Sequence, residues 1–313
     1  MLNINNLKIS LDQKNNGSTI DFISHAHFDH ISALNSSKHI IASQQTIELI
    51  KTRSKNLNSN YLNFDYEKFN IELLNSGHIL GSKQLFIQDN IKNESTIYSG
   101  DFQIDTPLIA EPIQIKPADI LILDSTYPDP KIKFDEKKNV KQELKTWVSE
   151  NIDKGIILFG AYSLGRAQDL IKILNEIDII PLVNKEINNI NKIYQKNGFA
   201  LRYASVYDEN SNCNELLKHN FVGIVQINKL KELKINLTKI YNKRIYSAVA
   251  TGMVNVFNFN VDAKFELSNH ADFEQSVSYI EHINPKKIFT YGKNKEIFAN
   301  NLSKLNYTAT PFL

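Results

Sequence analysis

Ser24-His25-Ala26-His27-Phe28-Asp29-His30 puts four ligand-type side chains into six positions, directly after the apolar run Thr19 to Ile23. In an extended segment side chains alternate between faces, so His25 and His27 point the same way and can share one metal ion. Asp29 and His30 follow as the chain bends toward Ile31, where they can face a second position close to the first. A lone His-x-His carries little information; four such residues in one short stretch carry much more.

Two further stretches extend the set. His78 lies in Ser76-Gly77-His78-Ile79-Leu80-Gly81, whose glycines let the backbone turn tightly and present a side chain, which makes it a third ligand for the first ion. Asp101, in Ser99-Gly100-Asp101 after an apolar strand, is placed to offer one carboxylate oxygen to each ion. Nitrogen and oxygen donors without thiolates suit zinc, with manganese or iron as alternatives. Such an ion lowers the pKa of a bound water to about 7 and polarises a substrate oxygen, so hydrolysis needs no serine or cysteine nucleophile. His39, His219 and His282 read as ordinary surface or core histidines.

Around these residues, Leu7 to Leu11, Thr19 to Ile23, His39 to Ala42, Leu85 to Gln88, Ser95 to Tyr98 and Ile120 to Leu123 read as short strands, with a helix over Gln44 to Arg53. From about Pro128 the rhythm lengthens into alternating units. These are a helix near Glu136 to Asn151, a strand Gly155 to Phe159, a helix Gly165 to Leu174, a strand Ile180 to Val183 and a helix Lys185 to Asn197. Apolar runs at Phe221 to Ile227 and Arg244 to Ala248 continue this pattern of a parallel, doubly wound sheet. A helix Asp272 to Ile283, a strand Lys287 to Tyr291 and a helix Asn294 to Leu305 close the chain. Ser163, Gly165 and Arg166 fall at a predicted helix start, where free backbone N–H groups favour a phosphate and Arg166 adds a bidentate contact. The Lys-rich runs Lys131 to Lys141 and Lys229 to Lys239 are compatible with a strand-binding groove but more often form solvated faces, and they carry no assignment; Tyr162 reads as packing.

The length of 313 residues, about twice the commonest domain size, favours two joined units. With 42% hydrophobic and 22% charged residues, disorder is excluded as a class. A net charge of +2 gives no electrostatic footprint from which to predict a partner. Cys213 is the single cysteine, which excludes an internal disulfide and fits a reducing compartment. No apolar run reaches the length of a membrane span and the first residues lack a signal-peptide core, so the expectation is a soluble cytoplasmic protein without membrane contact.

His25-Ala-His-Phe-Asp-His30, Gly77-His78 and Ser99-Gly-Asp101 together resemble the successive motifs of the metallo-β-lactamase superfamily. Leu123-Asp-Ser-Thr-Tyr127, Phe159-Gly-Ala-Tyr-Ser-Leu-Gly-Arg-Ala-Gln168 and Leu267-Ser-Asn-His-Ala-Asp272 resemble its β-CASP nuclease branch, so the likeness covers nearly the whole chain. Within that branch the motif order, the short insert and the following Ile288-Phe-Thr-Tyr-Gly292 are most similar to the compact ligase-associated DNA exonucleases. The resemblance implies an α/β fold. It would be a four-layer αββα sandwich over residues 1–127 and 265–313, with an inserted α/β (β-CASP) domain over 128–264 and an active site in the cleft between them. It also implies that His25, His27 and His78 hold one zinc and Asp29 and His30 another, with Asp101 between. Asp29, Asp124 and His270 are then the catalytic candidates, and Ser163, Gly165, Arg166 and Ser268 the substrate-binding ones. Asp124 matches an acidic motif, and His270 matches a histidine that serves as general acid or phosphate contact; on spacing alone His270 is equally a metal ligand.

The sequence departs from the family pattern at Tyr291, where RNA-processing members usually carry a histidine that completes the second metal site. The expectation is one tight zinc and a second, weaker ion, with Mn2+ as a substitute. The implied activity is hydrolysis of phosphodiester bonds in nucleic acid, as a DNA exonuclease, with DNA favoured over RNA. An RNA-processing endo- or exoribonuclease of the same branch is the alternative. A thioester or lactone hydrolase on the same scaffold would not require the insert and Arg166. A non-catalytic nucleic-acid-binding subunit is a further reading, against which the joint presence of all six metal ligands argues. A homodimer is allowed, and no protein partner is indicated.

Overall fold

A computed structural model describes residues 1–4, 7–13, 17–32, 39–53, 70–207, 213–254 and 256–312. The chain forms two compact units, Met1–Lys133 with Asn269–Leu313, and Phe134–Ser268.

The first unit contains two sheets. In the larger, the strands run in the order Ala309–Pro311, Lys287–Tyr291, Ile120–Asp124, Glu94–Tyr98, Lys83–Asp89, Ile71–Asn75. The first four pair in parallel and the last two join antiparallel. The smaller sheet runs Leu2–Ile4, Leu7–Leu11, Ile20–Phe22, Ile40–Ile41. Period-two alternation assigns the faces. Leu85, Ile87 and Ile122 pack with Ile9, Leu11, Ile20 and Phe22 of the small sheet. Their neighbours Phe86, Leu121 and Leu123 face the other way, onto Tyr279, Ile280, Ile283, Phe298 and Leu302. Those residues belong to the helices Phe273–Ile283 and Lys295–Lys304. The result is the sheet-on-sheet α/β sandwich that the fold expectation named, with helices covering the outer face of the large sheet.

Two local features place functional residues. Asp124 and Tyr291 pair in register at the carboxyl ends of adjacent parallel strands, the end at which α/β sheets build sites. Helix Phe273–Ile283 starts on Asp272, whose side chain accepts the Gln275 N–H at 2.8 Å, and ends on Asn284 in the left-handed region at φ 52°. This firm start fixes the preceding loop that carries Asn269 and His270.

In the second unit a six-stranded sheet, all parallel, runs Ala204–Ser205, Leu182–Val183, Val222–Gln226, Gly155–Ala161, Arg244–Ala250, Ala263–Phe265. Trp147 on helix Lys137–Asn151 packs edge-on against Phe159, Tyr246 and Phe265, with ring centroids 5.7–6.2 Å apart. The Lys-rich run 229–239 lies inside a helix, Ile227–Ile240. Leu230, Leu233 and Leu237 recur at helical spacing and pack on the sheet, so the lysines between them form its solvated face. No helix of the described residues is long and apolar enough to cross a membrane.

Candidate metal centre

The motif's backbone bends as soon as it leaves strand Ile20–Phe22. His25 is fully buried, and Phe28–His30 form a single 3-10 turn. His78 is carried by the turn after strand Ile71–Asn75, and Asp101 by the turn after strand Glu94–Tyr98. Gly77, at φ 79°, could not carry a Cβ without meeting the Gln103 carbonyl, so only glycine allows His78 this approach.

The side chains converge. His25 Nε2 lies 2.9 Å from His27 Nδ1, and His78 Nε2 lies 3.2 Å from the same atom. Asp101 Oδ2 is 3.5 Å from His25 Nε2 and 3.7 Å from His78 Nε2, while its Oδ1 is 3.5 Å from His30 Nε2. One carboxylate therefore turns one oxygen toward His25 and His78 and the other toward His30. Asp29 Oδ2 stands 3.7 Å from His30 Nε2, and the Asp29 side chain is 82% exposed. His25, His27, His78 and Asp101 bring one ligand atom each within 4.8 Å of one another, and so do Asp101, Asp124 and His270. Asp29 and His30 stand beside these groups in a looser arrangement.

Outward partners assign the tautomers. Ser24 Oγ donates to Asp12 Oδ2 at 2.7 Å, so His25 Nδ1–H donates to Ser24 Oγ at 2.9 Å. His30 Nδ1–H donates to Asp12 Oδ2 at 2.9 Å, and His78 Nδ1–H to the Asn269 carbonyl at 2.9 Å. His25 and His78 thus turn an unprotonated Nε2 inward. Burial, then repulsion from neighbouring imidazoles, pushes His25 and His78 well below their ordinary values, into the neutral form that ligates metals. Burial alone would also lower His30, but the charges of Asp101, Asp12 and Asp29 outweigh it and raise it to about 10. Inward-facing nitrogens of His25 and His78 beside His27 and the Asp101 carboxylate make a pocket suited to a divalent cation. This donor set fits one.

Asp12 is the residue that sequence reasoning missed. It is buried at the end of strand Leu7–Leu11 with φ 56°, and besides His30 and Ser24 Oγ it accepts from Tyr98 OH at 2.7 Å and from Ser24 N–H at 2.7 Å. The available signal was an acidic residue directly after an apolar strand, the same context that singled out Asp101. Tyr291 sends its hydroxyl to the Leu11 carbonyl and packs its ring against Tyr98, centroid to centroid 5.2 Å. Its oxygen is thereby committed to backbone.

His270 Nδ1 is 3.8 Å from Asp101 Oδ2 and 3.9 Å from Asp124 Oδ2, and its ring lies 4.5 Å from that of His78. Burial raises Asp124 to about 6, against the opposing hydrogen bond from Thr126.

The other expected substrate contacts belong to the second unit, and the structure differs there. The Gly165 N–H, expected to be free for a phosphate, donates to Gln168 Oε1 at 2.7 Å. Arg166 is buried and its Nη1 pairs with Asp169 Oδ2 at 2.9 Å on the same helix. Ser163 and Ser268 are also buried, whereas Tyr162, read as packing, is 59% exposed.

No family model matches the chain. It is 26% identical over 290 residues to a probable DNA ligase of Opitutus terrae, across 90% of this chain and 27% of that protein. It is 28% identical to an RNase J-like protein of Methanocaldococcus jannaschii, across 49% of this chain and 42% of the relative. A probable RNase of the same organism is 25% identical, across 70% of this chain and 58% of the relative. The chain therefore spans from about a quarter to under two thirds of the length of these relatives. Among solved structures, a protein of unknown function from Enterococcus faecalis superposes with a TM-score of 0.61 at 15% identity, over 94% of this chain and 79% of that one. That likeness concerns the fold.

Proposed function

Since the chain belongs to the β-CASP nuclease branch of the metallo-β-lactamase superfamily, we propose that it is a metal-dependent nuclease that hydrolyses phosphodiester bonds of nucleic acid, with DNA as its preferred substrate. The observation that carries this reading is the convergence of three inward imidazole nitrogens on Asp101 Oδ2, with the other Asp101 oxygen turned to His30. Divalent ions bound by these residues would supply an activated water and neutralise charge on the phosphodiester oxygens. Zinc suits the donors, with manganese as the substitute.

The chain's own residues supply the rest. Asp101 holds the two halves of the cluster in register, and Asp12 fixes the His30 ring. His270 faces Asp101 and Asp124 through Nδ1, which favours a proton on that atom and leaves Nε2 to deliver a second proton to the leaving oxygen. DNA is preferred because the relative aligned over 90% of this chain is named for DNA, and because Tyr291 replaces the histidine of RNA-processing members. The relatives named as RNases favour RNA as the second reading.

The test is incubation of end-labelled single- and double-stranded DNA and RNA with the purified protein and zinc or manganese. DNA should be shortened, and His270→Ala should lower kcat about 10²- to 10⁴-fold with metal content unchanged. Intact strands under every metal condition would refute the reading. Metal content gives a second check. With Tyr291 engaged by Leu11, one ion per chain should survive extensive dialysis against chelator and a second should bind only when added. Two ions retained per chain would overturn that expectation.

A further inference from the structure

Phe28 sits between His27 and Asp29 on the 3-10 turn Phe28–His30, and its side chain is 62% exposed, whereas Ala26 two residues earlier is fully buried. Single exposed aromatics are ordinary on protein surfaces; this one is distinguished by how it is held. The Arg53 guanidinium lies 3.9 Å over its ring centroid, and Arg53 Nη1 donates to the Ala26 carbonyl at 2.7 Å. A cation tied to the backbone of the same motif thus backs one face of the ring and leaves much of the rest to solvent. Adjacent Cα atoms are about 3.8 Å apart, so the backbone of Phe28 lies one residue from His27 of the cluster.

We propose that Phe28 is a positioning residue that stacks one unpaired nucleobase of the strand whose phosphodiester lies at the metal cluster. This rests on the nuclease reading above. Every base has a π-face, so such a platform aligns a strand without reading its sequence. In a duplex both faces of a base are already stacked, so the stacked base must be unpaired or terminal. Arg53 keeps the ring in one orientation and places positive charge behind it.

The experiment is steady-state cleavage of a short end-labelled single strand by the unaltered protein, Phe28→Ala and Phe28→Trp, with metal content measured in each. A matched series of strands carries one abasic nucleotide at successive positions. Phe28→Ala should raise KM roughly 5- to 150-fold on the normal strand, the range expected for losing one base–aromatic stack, with kcat much less affected, and Trp should restore it. An abasic nucleotide at one position beside the cut should penalise the unaltered protein and add nothing in Phe28→Ala. If the abasic penalty persists undiminished in Phe28→Ala, or KM does not move, Phe28 is no stacking platform. If the unaltered protein cleaves no strand, the nuclease reading fails, and this proposal with it.

Discussion

Asp101→Ala should abolish phosphodiester cleavage, with a loss on the order of 10³-fold or more, at least that of deleting a preorganised electrostatic group from an active site. Both of its oxygens are engaged with the cluster, Oδ2 toward His25 and His78 and Oδ1 toward His30, so one truncation disturbs both halves. The turn should survive, because Ser76 Oγ donates to the Asp101 backbone carbonyl at 2.8 Å, a contact that alanine keeps. Circular dichroism and the melting curve should therefore resemble those of the unaltered protein while metal content falls. Cleavage within about tenfold of the original rate would remove Asp101 from the machinery.

Asp12→Ala should act on stability and metal together. It leaves His30 Nδ1, Ser24 Oγ and Tyr98 OH without their shared buried acceptor, at about 1–3 kcal/mol for each that finds no substitute. It also frees the His30 ring to rotate, which should weaken metal binding about 10- to 100-fold, as loss of an outer carboxylate does at other metal sites. Asp12→Asn, which keeps one carbonyl oxygen, should fall between the two. The checks are denaturant melts of the metal-free protein and competition with a chromophoric chelator; unchanged metal affinity in Asp12→Ala would show that His30 is oriented by something else.

These two residues also mark how far the sequence can be read. Asp101 was legible because a glycine, an acidic residue and a preceding apolar strand coincide in a short stretch. Asp12 offered the same strand-then-acid signal but lacked the glycine, and its partners Ser24, His30 and Tyr98 come together only when the two sheets stack. The strands with the strongest apolar runs were visible. The short edge strands Leu2–Ile4, Ala263–Phe265 and Ala309–Pro311 were not, because three residues carry too little periodicity. Helix Ile227–Ile240 was hidden by its lysines, since its apolar stripe is narrow. Arg166 shows a different limit. A residue at a helix start reads as available, but Asp169 stands three residues on along the same helix and pairs with it.

The tie from Tyr291 to the Leu11 carbonyl makes one side chain serve as a joint between sheets. It clamps a strand of the large sheet to the end of a strand in the small one, beside the Tyr98 ring. A histidine placed at 291 would offer a ligand but remove the clamp, so gaining a donor there costs a contact between the two sheets. A second donor at this strand end and a firm joint between the sheets thus compete for one side chain.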